Sequence, residues 1–427
     1  MSSDHQVYDE AYVWIWLPNA TEPVVAGRLS RMHDGRLSFN YGQSYLLRNN
    51  AIAIYNPELP LGAGVIETNN TMQLPSCIRD GSPDAWGRRV IINRISGLTA
   101  GKSMQVDLDE LSYLLESGSD RIGMLDFQRS ATDYTPRQRQ NATLDELMQS
   151  AERVEHGVPL TPELDQALQH GSSIGGARPK ALIDGDARKC IAKFSTSSDL
   201  YNVVKAEYIA MRLAVKAGIN TASVELARSL GKDVLLIERF DRTATNTGWS
   251  RHGIVSGLTL LQLDEIEARY ASYEDLATII RHRFDNHSEA LSELFARIVF
   301  NILCGNTDDH ARNHAAFWDG RTLKLTPAYD ICPQSRTGGE ASQAMLIVGN
   351  KRLSRLSVCI EAAANFQLSQ ERARAIISHQ ITTIKSEWKN VCDEAKLSDV
   401  DRQFLWRRQF LNPFAFEGLP ADMSDII

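Results

Sequence analysis

Near the start of the chain, residues 12–17, 24–29 and 37–41 alternate apolar and polar positions, and 52–54 is a short apolar run. A period of two places every second side chain on one face of an extended segment, so all four read as strands. Spacing then turns helical over 84–95 and again over 144–154. The intervening tract 132–171 is polar, contains Pro136, Pro159 and Pro162, and reads as a connection. Residues 181–183 and 189–194 return to strand character, and 203–217 follows as an amphipathic helix with Val204, Tyr208, Met211, Leu213 and Val215 on its apolar surface. Another apolar strand, 233–237, runs into the charged segment Glu238-Arg239-Phe240-Asp241-Arg242. Residues 244–253, rich in Thr, Asn and Gly, read as a mobile loop. From Leu258 to Phe410 helical patterns dominate, among them 290–304 and 369–388. The pattern predicts an α+β chain in four parts: 1–131, a connection 132–171, a strand-rich part 172–242 and a mainly helical part 243–427. Trp14, Trp16 and Trp86 read as core residues.

Composition narrows the class. The 427 residues carry a formal net charge of -7, which argues against nucleic-acid binding across the whole surface. Arg88, Arg89 and Arg94, and Arg402, Arg407 and Arg408, read as solvated helix faces. Six cysteines form no C-x-x-C pair, as expected for reduced thiols of a cytoplasmic protein. The first residues show no leader pattern, and no apolar run is long enough to span a bilayer.

The chemistry concentrates in Gly305-Asn306-Thr307-Asp308-Asp309-His310-Ala311-Arg312-Asn313-His314 and in Leu325-Thr326-Pro327-Ala328-Tyr329-Asp330. An Asp with an Asn five positions on, and a second Asp after the next apolar strand, suit phosphoryl transfer. One carboxylate orients the attacking hydroxyl, while an amide oxygen and another carboxylate hold Mg²⁺. Asp308, Asn313 and Asp330 fit those roles. Two other readings of the stretch stand beside it: a polar helix connection, or a metal site at His310 and His314.

Upstream residues favour the first reading. Gly171-Ser172-Ser173-Ile174-Gly175-Gly176-Ala177-Arg178-Pro179-Lys180 is a small-residue loop whose backbone amides can approach anionic oxygens. Lys193 alternates with apolar neighbours on the following strand and suits phosphate anchoring; Glu207, early in the next helix, is its candidate partner. Backbone around Glu238 and Phe240 falls where a kinase hinge would meet adenine. The order of glycine loop, strand lysine, helix, hinge strand, catalytic Asp, Asn and metal Asp is that of a bilobal kinase.

These elements, with Ser82-Pro83-Asp84-Ala85-Trp86-Gly87-Arg88, Tyr113-Leu114-Leu115 and Asp120-Arg121-Ile122-Gly123, resemble the HipA-like serine/threonine kinase toxins of bacterial type II toxin–antitoxin systems. The likeness covers nearly the whole chain. It implies a bilobal protein-kinase-like core with a mainly helical C-terminal lobe and a small α+β N-terminal subdomain. It also implies Asp308 as catalytic residue, Asn313 and Asp330 as Mg²⁺ ligands, and ATP contacts at Ser173, Gly175, Gly176, Lys180, Lys193, Glu238, Phe240 and His310. Spacing from Asn313 selects Asp308 over Asp309. Ser173, or the adjacent Ser172, matches the family's autophosphorylated serine. The implied partners are a protein substrate and a small helix-turn-helix antitoxin, with DNA engaged only through the latter and no membrane.

Overall fold

The computed structural model describes residues 8–69, 71–97, 108–137, 142–161, 164, 172–173, 175–185, 187–336 and 338–426; Pro162, Gly171 and Ile174 of the sequence reading lie outside them. Strands β1 (Glu10–Ile15), β2 (Val24–Arg31), β3 (Leu37–Tyr41) and β4 (Val65–Ile66) are followed by helices α1 (Ala85–Gly97) and α2 (Glu110–Glu116) and by β5 (Leu125–Gln128). The strands form one antiparallel sheet in the order β4-β3-β2-β1-β5. Alternation in β1 buries Ala11, Val13 and Ile15 completely, as a half-buried strand requires. Trp14, Trp16 and Trp86 are all buried.

The strand expected at 52–54 does not form. Tyr41 Oη accepts from the Ile54 amide at 2.9 Å, Tyr45 Oη donates to the Ile52 carbonyl at 2.7 Å and Trp318 Nε1 donates to the Ala53 carbonyl at 2.9 Å. Side chains satisfy these backbone groups, so Ala53 and Ile54 are buried and Ile52 half-buried without a neighbouring strand.

Helix α3 (Leu144–Glu155) starts with a capping box in which Thr143 and Glu146 satisfy each other's backbone amides. After it come β6 (Lys180–Asp184), β7 (Lys189–Phe194), α4 (Val203–Lys216), β8 (Val224–Ser229) and β9 (Lys232–Glu238). These strands make a second antiparallel sheet, β6-β7-β9-β8, in which Lys180 stands opposite Lys193. Ala206, Ile209, Ala210, Leu213 and Ala214 of α4 are fully buried.

Residues 244–253 are not a loop. Strands β10 (Arg242–Thr245) and β11 (Gly248–Arg251) pair as a hairpin whose reversal uses Gly248 at φ +138°. The threonines that suggested a loop are good strand residues. Beyond it, β12 (Gly253–Ser256), β13 (Ala315–Trp318) and β14 (Leu323–Leu325) form a three-stranded sheet, alongside α5 (His287–Cys304) and α6 (Gln370–Glu394). All six cysteines are free and buried.

The first sheet region and the second are joined by a charged clasp. Asp241 accepts from Arg239 at 2.8 Å, from Arg242 at 2.6 Å and from the Gly123 amide at 2.8 Å. Asp120 pairs with Arg239, Arg242 and Lys189 at 3.0, 2.8 and 3.1 Å. Buried charges persist only when paired and hydrogen-bonded in this way.

Candidate active site

Strand β7, helix α4 and the segment after β14 converge on Lys193. Its Nζ donates to Glu207 Oε1 at 2.6 Å and to Asp330 Oδ1 at 2.5 Å. Glu207 faces inward because it shares the buried side of α4 with Ala206 and Ala210. Asp330 is held at φ +59°, a left-handed backbone that Asp tolerates better than most residues. Burial opposes the charge of Asp330, but the Lys193 and Lys180 ammonium groups hold its carboxyl well below the usual carboxylate range. Lys193 is likewise pushed up: burial works against it, and Asp330 and Glu207 outweigh burial. Burial raises the Glu207 carboxyl, with Lys193 opposing.

Helix α5 ends at Gly305, φ +73°, where an added Cβ would lie 2.8 Å from the Gln409 carbonyl oxygen. Only glycine fits that left-handed cap, and the chain leaves the helix there into the Asp308 loop. Asp309 is buried: its Oδ2 accepts from Tyr273 Oη, from Asn301 Nδ2 at 2.7 Å and meets His314 Nε2 at 3.0 Å. Asp308 is exposed. Its carboxyl is raised by partial burial and by the charges of Asp330 and Asp309, with His310 opposing. Asn313 Nδ2 donates to the Asp308 carbonyl at 3.3 Å, and Asn306 Nδ2 reaches the Asp330 carbonyl at 3.4 Å, so the loop is tied to both ends of the site. His310 Nδ1 is buried and makes no hydrogen bond.

The small-residue loop lies against the N-terminal region. Ser172 and Ser173 are both buried. Ser172 Oγ accepts from the Gly118 amide at 3.1 Å, and Ser173 Oγ donates to the Asp120 carbonyl at 3.3 Å. Lys180 Nζ donates to the Gly175 carbonyl at 2.5 Å. Gly176 has φ +101°, and an added Cβ would meet Lys180 Nζ at 2.2 Å. Burial, then the charge of Lys193, lowers Lys180 to about 8.

Around the hinge position the Glu238 amide donates to the Ser223 carbonyl at 2.9 Å and the Arg239 amide to the Lys189 carbonyl at 2.8 Å. Those two donors are taken by the sheet. The Phe240 ring sits 5.9 Å from Phe317 and 5.7 Å from Tyr329, forming an aromatic wall. The alternative metal site at His310 and His314 finds no support: His314 Nε2 is engaged by Asp309, and among the described residues no three His, Cys, Asp or Glu side chains cluster as metal ligands.

The chain matches the HipA-like C-terminal domain over residues 172–388 and the HipA N-terminal domain over 17–128. It belongs to the HipA family. The Y4mE protein of Sinorhizobium fredii, which carries a provisional kinase name, is 24% identical to this HipA-like chain over 332 residues, covering 72% of the chain and 74% of the relative. The serine/threonine-protein kinase toxin HipA of Shewanella oneidensis is 25% identical over 183 residues, 37% of this chain and 42% of that toxin. In three dimensions, the HipA-like chain matches a chain from the Shewanella oneidensis complex of HipA, HipB and operator DNA with a TM-score of 0.64 at 17% identity, over 90% of this chain and 93% of that one. The fold is therefore that of HipA.

Sequence reasoning singled out Lys193, Asp308, Asn313 and Asp330, and the structure gathers them with Glu207. It did not single out Asp84, Glu265 or the role of Arg312. Pro83-Asp84 reads as an ordinary helix start, and nothing in spacing alone brings it to a loop 92 residues away.

Proposed function

We propose that this HipA-like chain is an ATP-dependent serine/threonine protein kinase acting as the toxin of a toxin–antitoxin module. The observation that carries this reading is Lys193 held between Glu207 and Asp330, beside a loop presenting Asp308 and Asn313. Kinase-fold enzymes need both the lysine–glutamate pair and the metal-binding Asp in place. The division at 131, 171 and 242 follows: an N-terminal subdomain, a connecting segment, a nucleotide-binding lobe and a mainly helical lobe, with ATP in the cleft of a bilobal core.

Lys193, Lys180 and the amide of Gly175 position the ATP phosphates, with Gly176 giving the loop its close approach; Phe240 and the Glu238 backbone border the base, and His310 faces the phosphates. Asp308 takes the proton of a Ser or Thr hydroxyl as its oxygen attacks the γ-phosphorus in line and ADP departs. Asp330 and Asn313 offer hard oxygen donors; burial first and then the charges of Asp330 and Asp309 raise Asp308, and a cation there relieves the repulsive part, so the residues fit Mg²⁺. Bound there, Mg²⁺ supplies charge neutralisation at the phosphate oxygens.

The protein substrate is a cellular, translation-related protein such as an aminoacyl-tRNA synthetase. The partner is a small helix-turn-helix antitoxin that carries the contacts to DNA, and the setting is the cytoplasm. No described helix is long and apolar enough to cross a membrane. Autophosphorylation of Ser173, or Ser172, places about two negative charges in a buried seat beside the phosphate site and drives the loop out of it. Asp at both serines should therefore abolish nucleotide binding.

Transfer of labelled γ-phosphate from Mg-ATP, for wild type and Asp308→Ala, alone and in host lysate, with phosphosite mapping, tests the proposal. Label on Ser173 or Ser172 and on a discrete lysate protein, lost in Asp308→Ala, supports it. ATP binding without any protein labelling favours a small-molecule kinase or a non-enzymatic co-repressor acting with a DNA-binding antitoxin.

A further inference from the structure

Asp84 stands in the N-terminal region, outside the residues that would touch nucleotide or metal. Its two carboxylate oxygens are divided between the two loops of the site. Oδ2 accepts from the Gly176 amide at 2.9 Å, and Oδ1 accepts from Arg312 Nη1 at 2.6 Å. The Gly176 peptide is held from its other side too, because its carbonyl accepts from the Trp86 amide at 3.0 Å. Trp86 Nε1 donates to the Lys180 carbonyl at 2.9 Å, at the far end of the same loop. Arg312 lies one residue before Asn313 and also pairs with Glu265, which in turn pairs with Arg79 at 3.3 Å. At Gly87 a Cβ would come 2.2 Å from the Ser172 carbonyl oxygen, so α1 lies directly on the glycine loop.

We propose that Asp84 is a positioning residue that sets the glycine loop in register with the Asp308–Asn313 loop, making the N-terminal region part of the phosphotransfer apparatus. The proposal rests on the kinase reading. A bare Gly-Gly segment pays heavily in conformational entropy to hold one shape over a ligand. An ionised acceptor fixed to the catalytic loop removes much of that freedom before ATP arrives, and its hydrogen bonds are charge-assisted.

The test compares the full chain with Asp84→Ala, Asp84→Asn, Arg312→Gln and Arg312→Lys, by KM and kcat for Mg-ATP from ADP release and by hydrogen exchange of the peptide spanning 175–180. Asp84→Ala should raise KM about tenfold or more and speed exchange to a similar degree, with kcat less affected. Asp84→Asn keeps an acceptor for Gly176 and loses the ion pair, so its effect should be smaller and equal to that of Arg312→Gln; Arg312→Lys should restore most of it. Unchanged KM and exchange in Asp84→Ala overturn the proposal. So does a fall in KM, which would make Asp84 an anion that ATP phosphate must displace. If wild type neither binds nor turns over ATP, the kinase reading fails, and the exchange rates still decide whether Asp84 holds the loop. Should Asp84→Ala not fold, Arg312→Gln carries the same comparison.

Discussion

Asp308 and Asp309 are neighbours with opposite fates: Asp309 is buried among Tyr273, Asn301 and His314, whereas Asp308 is exposed beside Asp330. The two carboxylates should therefore fail differently. Asp308→Ala should retain fold and ATP binding and lose transfer by about 10²–10⁴-fold, the usual worth of a positioned general base. Asp309→Ala leaves several buried donors without a partner and should cost roughly 3 kcal/mol of stability. Thermal unfolding and phosphotransfer measured on both variants separate the roles.

Lys193 bridges two carboxylates, and removing either one has a distinct signature. Glu207→Ala leaves a buried ammonium with one partner fewer and should destabilise by about 3–5 kcal/mol, read in denaturant unfolding. Asp330→Ala should lose metal-dependent nucleotide binding. Unchanged Mg-ATP affinity in that variant would contradict the metal assignment.

Lys180 gives the site a pH limb. Its lowered value, about 8, means the amine is charged below that pH and neutral above it. Attraction to phosphate is then present at pH 7 and lost as pH rises through about 8, with kcat/KM for Mg-ATP falling about tenfold per unit beyond. Lys180→Arg keeps its charge throughout this range and should lack the limb, whatever its absolute rate.

Asp241 anchors the clasp between the two sheet regions. Asp241→Ala takes from Arg239 and Arg242 one of their two carboxylate partners and leaves the Gly123 amide without its acceptor, at a cost of about 3 kcal/mol. Denaturant unfolding of the variant against wild type checks the loss.

Much of this was legible in the chain because strands and helices here follow their own periodicity. The run 189–194 matched β7, and the helix expected at 203–217 ended within one residue of α4. Segments whose backbone is satisfied by distant groups were misread: 52–54 depends on Tyr41, Tyr45 and Trp318, none of which local spacing can supply. The hairpin at 242–251 was hidden by its threonines. In the site, residues typed by their chemistry stood out, as Lys193 and Asp330 did. Asp84 and Arg312 did not, because their meaning lies in a contact across 228 positions.

The six buried thiols turn the chain into its own reporter of opening. Burial pushes the Cys304 and Cys359 thiols up to about 12 and raises Cys77 and Cys332 well above the ordinary range, so neither access nor thiolate favours attack while the fold is closed. Cys332 follows Asp330 by two positions, whereas Cys190 faces the side of β7 opposite to Lys193. An alkylating probe that marks Cys332 ahead of Cys359 and Cys392 would therefore be recording a local opening around Lys193 and Asp330 rather than unfolding of the helical half.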